Sequence, residues 1–194
     1  MTFASGWASG INAYATVLIL GLLGRFAGTG GVPEGFQRTD VLIVMGVLAL
    51  VEFVADKVPV IDSIWDVPST VIRPIAGAAI GAIYAGATGD LATITLASVG
   101  GITALVSHLT KAGLRLAVNT SPEPFTNVAA SAAGDVAVTG VATLVALAPV
   151  AAAIVVAVLL VLGLLALWAI ATRIRRGWLA YQRWLSRRKN PAPA

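Results

Sequence analysis

The chain contains no cysteine and a single histidine, His108, in 194 residues. The first absence excludes disulfides, thiolate metal sites and cysteine nucleophiles; the second excludes multi-histidine metal cages and argues against histidine-based catalysis. Charge is scarce as well. Only 11% of residues are Asp, Glu, Lys or Arg, while 58% are hydrophobic and the mean hydropathy is +0.89; soluble domains carry about 25% charged residues. So little polar surface excludes a soluble enzyme, a disordered regulator and a coiled coil. Lys and Arg are absent from the first ten residues, so the chain begins without the cationic region of a secretory signal and its first apolar stretch reads as a retained span. The pairs Gly30-Gly31 and Gly100-Gly101 lack the lysine and spacing of a phosphate-binding loop.

Acidic residues are missing from one region only. Positions 1–172 hold 6 basic and 9 acidic residues, whereas positions 173–194 hold 7 basic and no acidic residue. The net charge of +4 and pI near 10.0 are therefore the property of a tail, in which Arg175, Arg176, Arg183 and Arg187 alternate with Trp178 and Trp184. Basic and aromatic residues following an apolar span suit a lipid-surface anchor on the cytoplasmic side of the inner (plasma) membrane, held by anionic headgroups, and not a nucleic-acid arm.

The apolar runs predict an all-α, polytopic membrane bundle over residues 1–172, followed by the tail over 173–194. Six spans are expected, at 11–26, 41–54, 71–87, 91–118, 125–148 and 150–171, with a short interfacial helix at 59–68. Gly77, Gly81 and Ala85 repeat every four residues, the spacing that lets helix backbones approach closely in lipid. Gly100-Gly101 marks a point where the fourth span could break. Ser121, Pro122 and Glu123 carry the chemistry of a helix start. With six spans both chain ends face the cytoplasm, and Gly10-Ile11-Asn12-Ala13 echoes Gly101-Ile102-Thr103-Ala104, a faint sign of an inverted three-plus-three repeat.

Polar side chains inside these spans carry the functional signal, because an ionised group in hydrocarbon is costly unless paired, hydrated or neutralised. Asn127, Ser131, Asp135, Thr139 and Thr143 recur every four residues in the fifth span, with Asp135 expected to be the deepest charge. His108, Lys111 and Arg115 share a face of the fourth span, and Glu52 and Asp56 one of the second. The expectation is that these faces meet. Glu52, Asp56, Asp135 and His108 would then bind an ion or proton, with Lys111, Arg115 and Arg73 as counter-charges or anion contacts. Asp62 and Asp66 form a further acidic pair on the interfacial segment, and whether any acid set holds a metal stays open.

Several segments together resemble a known family: Ala8 to Tyr14, Val51 to Pro59 running on to Asp66, Ile72-Arg73-Pro74, and Lys111 to Arg115 continuing to Pro124. They are similar to domain of unknown function 4126, a family of small multi-span membrane proteins, over nearly the whole chain except the tail. The resemblance implies a membrane location and no mechanism. Glu52-x-x-x-Asp56-Lys57 is more distantly similar to the Glu-x-Gly-Asp-Lys signature of a family of cation/proton exchangers, although here the acids stand one position further apart, the glycine is missing and no second copy exists.

The expected function is thus a small membrane transporter or channel-like protein for a cation, proton or small charged solute, without enzymatic activity or cofactor and with a homodimer as a candidate assembly. Handling of lipid headgroups or lipid-linked intermediates, and a structural role in a larger membrane complex, are the alternatives.

Overall fold

The structure, a computed structural model, describes residues 1–87, 89–118 and 124–189, without the side chains of Pro59, Pro124 and 186–189. The Ser121–Glu123 helix start and the Arg187 side chain lie outside that description. Among the described residues there are six α-helices and no strand: α1 (Thr2–Ala27), α2 (Thr39–Ala55), α3 (Pro59–Tyr84), α4 (Leu91–Val118), α5 (Pro124–Leu147) and α6 (Pro149–Lys189), with a 3₁₀ turn at Glu34–Gln37. All but α2 contain a stretch long and apolar enough to cross a membrane. The protein is a multi-pass helical bundle.

Two expected elements are one. The interfacial segment 59–68 and the span that follows form the single helix α3, which runs through Pro68 and Pro74. Each proline removes one backbone hydrogen bond, and packing along the rest of the helix outweighs that loss. Nor does α4 break at Gly100-Gly101. These glycines serve contact instead: a Cβ on Gly77 of α3 would lie 2.5 Å from the Gly100 carbonyl oxygen, and Gly81 stands equally tight against Leu96. Helix backbones meet there, as the spacing of small residues predicts. At the other end of the chain, α6 continues unbroken from the apolar run into the basic tail.

The break is in α1. Asn12 has φ −153° and ψ 103°, outside the helical region. Residues 2–11 run parallel to α4, since Gly6 faces Gly100 and Thr103 while Gly10 faces Ala104 and Ser107. Residues 13–27 run the opposite way, alongside α3: Ala13 and Val17 share a cavity with Ala76, Ile80 and Ile83, and Gly21 abuts Phe36, whose ring meets Tyr84 edge-on at 6.4 Å. The Met1 side chain accordingly packs against Gly31, which an unbroken helix of about 39 Å would forbid. α1 is a hairpin that enters the bundle and returns, with Asn12 at its tip.

The hairpin changes the disposition of the ends. Met1 and Ala27 lie at the end of the bundle where α3 finishes and α4 starts. α6 runs parallel to α4, with Gly163 against Thr110 and Leu167 against Gly113. Its C-terminus therefore lies at the opposite end from Met1, which corrects the expectation of both termini on one face. The halves of the chain also pack differently: α1 lies closely on α5, whereas the pair that an inverted repeat would equate with them, α4 and α2, is not closely packed.

Candidate functional site: a charge network at the hairpin tip

A helix that stops leaves its last carbonyls without intrahelical donors and carries partial negative charge at that end. The first arm of α1 stops inside the bundle, and its carbonyls are met by donors from α3 and α4. Ser107 donates to the Trp7 carbonyl at 2.7 Å, Arg73 Nη1 to Gly10 at 3.2 Å and Lys111 Nζ to Ile11 at 3.0 Å. Asn12 then begins the second arm, its Oδ1 accepting the Ala15 amide at 2.8 Å, an N-cap bond. One residue both ends a helix at two cations and starts the next.

Carboxylates close around those cations. Arg73 Nη2 pairs with Glu52 of α2, and Nη1 lies 4.0 Å from Asp66. Lys111 Nζ is 2.6 Å from Asp56 Oδ2 and 4.0 Å from Glu52. Arg115 reaches Asp56 at 3.1 Å, Asp66 at 3.2 Å, and Asp62. Glu52, Asp56, Asp62, Arg73 and Arg115 are all buried. Arg73 sits about 21 Å along α3 from Pro59, near the middle of that helix. A buried ion pair must offset a desolvation cost of several kcal/mol per ion. Here each cation meets that cost with more than one anion or carbonyl.

His108 is fully buried in the same network, and its tautomer follows from its neighbours. Arg73 Nη1 lies 2.7 Å from Nδ1, and a guanidinium has donors only, so Nδ1 must accept. The proton is then on Nε2, 3.0 Å from Thr70 Oγ1, whose own hydrogen is donated to the Asp66 carbonyl at 2.9 Å. The ring is neutral in this arrangement. The network consequently sets four carboxylates against three basic side chains.

The sequence expectations are met unequally. Glu52, Asp56, His108, Lys111, Arg115 and Arg73 converge as expected, and Asp62 and Asp66 belong to the same cluster through Arg115, not to a separate interfacial pair. Asp135 does not join them. It binds Lys57 at 3.0 Å, with side chains 25% and 27% exposed, so it is a rim residue and not the deepest charge. Lys57, whose ammonium also lies 3.2 Å from the centroid of the Phe53 ring, was no site candidate; its position directly after Asp56 was the available signal. Higher on that polar stripe, Asn127 and Ser131 are buried. Neither has a hydrogen-bond partner among the described residues, and the same holds for Asp56 Oδ1 and for both Asp62 oxygens apart from the ionic contact to Arg115. Among the described residues no group of three or more His, Asp or Glu is arranged to hold a metal ion. The tail residues Arg175, Arg176, Trp178, Arg183 and Trp184 are exposed along the end of α6, where Trp178, Tyr181 and Trp184 form successive ring contacts at 6.1 Å.

No curated protein and no solved structure matches the chain. The model of a family described as a domain of unknown function, DUF4126, matches residues 1–169, which takes in the hairpin, the whole network and most of the apolar part of α6. The chain is a member of the DUF4126 family.

Proposed function

We propose that this protein is a small transporter of the inner (plasma) membrane that binds a proton, a cation or a small charged solute at the network around the α1 tip. The observation that carries this reading is a cluster of four carboxylates and three cations, all but Asp66 buried, at the end of a broken helix. Discontinuous helices whose freed carbonyls and half-helix ends meet charge at mid-depth are the usual construction of ion-coupled transport sites, and intramembrane ionisable groups mark ion paths or proton relays. Buried polar atoms are nearly always hydrogen-bonded, so Asp62 Oδ2 and the side-chain oxygens of Asn127 and Ser131, without hydrogen-bond partners among the described residues, favour a polar route that water or a solute enters.

Asp62 is the residue best suited to exchange its partner, since among the described residues Arg115 is its one ionic contact and also holds Asp56 and Asp66. The proposed orientation puts the α6 C-terminus in the cytoplasm. Lys57 and the seven basic residues of 173–194 favour that face under the positive-inside rule. A homodimer is a compatible assembly. Purified protein in liposomes, with a pH-sensitive or cation-sensitive dye inside, tests the reading. Flux above protein-free vesicles is expected, and folded protein with no flux for protons or common cations contradicts it.

A further inference from the structure

A groove of about 470 Å³ runs between the first arm of α1, the C-terminal half of α4, α5 and α6, within the ~300–1,000 Å³ usual for small-ligand sites. Its charged lining is entirely cationic, Lys111 and Arg115. The carboxylates that pair with them, Asp56, Asp62 and Asp66, are absent from the lining. The walls are smooth, with Ala130, Ala133, Gly134 and Ala137 along α5 and Gly163 and Ala166 on α6. At the rim Leu114 and Leu162 are 43% and 56% exposed, so the groove opens sideways, where acyl chains lie in a bilayer. Two cations at the end of an apolar trough complement an amphiphile with an anionic head.

We propose that this groove seats an anionic phospholipid, with its phosphate against Arg115 and Lys111 and one acyl chain along the Ala/Gly faces of α5 and α6. A phosphate offers oxygens to both cations at once, and guanidinium is the side chain best matched to that geometry. Arg115 is 3% exposed and paired with Asp56, Asp62 and Asp66, so the phosphate would share the guanidinium with those carboxylates. The site adds a ligand class to the transport reading and does not depend on it.

Trp7 lines the groove and is only 6% exposed, hence shielded from bulk lipid. Replacing the other four tryptophans (Trp65→Phe, Trp168→Phe, Trp178→Phe, Trp184→Phe) leaves it as the sole indole. In phosphatidylcholine nanodiscs, phosphatidylglycerol brominated along its chains is expected to quench Trp7 at about tenfold lower mole fraction than equally brominated phosphatidylcholine, the ratio one charge-assisted contact supports. Ala133→Leu, which fills the groove without touching an ion pair, should abolish that preference. Should Ala133→Leu fail to fold, recovery of Trp7 emission on adding unbrominated phosphatidylglycerol gives the same reading in the parent variant. Equal quenching by the two lipids, no quenching by either, or stronger quenching by a brominated fatty acid would overturn the proposal.

Discussion

Arg73 donates to Nδ1 of His108 across 2.7 Å while its other terminal nitrogen holds Glu52. One guanidinium thus fixes the tautomer of the only histidine, pairs the acid of α2 and, through the Gly10 carbonyl, holds the α1 hairpin tip. Three helices depend on one side chain. A proton added at Nδ1 would remove an acceptor and place a second positive charge beside Arg73, so binding chemistry at the acids and the state of the ring are linked.

That arrangement is visible by nitrogen NMR on ¹⁵N-histidine-labelled protein, in which His108 gives the only histidine signals. The expected spectrum at neutral pH shows an unprotonated Nδ1 and a proton on Nε2. Two protonated ring nitrogens, or the opposite tautomer, would mean that the Arg73 contact does not exist in solution.

Removing one partner of a buried pair leaves the other charged and unpaired. Arg73→Met should therefore destabilise the protein by about 3–5 kcal/mol, and denaturant titration of detergent-solubilised protein would read the loss. Adding Glu52→Met should recover part of it, because replacing both members of a buried pair by apolar groups is often neutral. Strict additivity of the two substitutions would refute the pairing.

The hairpin makes a distance prediction. Because the chain has no native cysteine, spin labels on Phe3→Cys and Gly30→Cys report one distance by pulsed electron paramagnetic resonance. With α1 folded back at Asn12 it should be well under half of the about 40 Å that a continuous helix over those residues would span. A distribution centred near the longer value would return Met1 to the same face as the tail.

The sequence reveals the site better than it reveals the path of the backbone. Carboxylates and cations at helical spacing in apolar runs had few ways to be satisfied except by one another, so the convergence of Glu52, Asp56, Lys111 and Arg115 followed from the cost of isolated charge. The small residues at Gly77 and Gly81 likewise showed where α3 would meet a neighbour. Hydrophobic length, however, does not encode direction: residues 2–27 are apolar enough to cross, contain no proline, and reverse at a single asparagine whose side chain caps the returning arm. The fold-back is held by Ser107, Arg73 and Lys111, about a hundred or sixty positions away in sequence, contacts that no local pattern contains. Asp135 was misplaced for a related reason, since the middle of a span is not the middle of a bundle, and its helix turns that side chain toward Lys57 at the rim.

The acids at the hairpin tip, and not the rim pair, form the proposed transport site. Asp62→Asn and Asp135→Asn, compared side by side in the proteoliposome flux assay after each is shown to retain its helical content, test it most directly. The prediction is that Asp62→Asn falls to the rate of protein-free vesicles while Asp135→Asn keeps most of the wild-type rate. Wild-type flux through folded Asp62→Asn protein would contradict it.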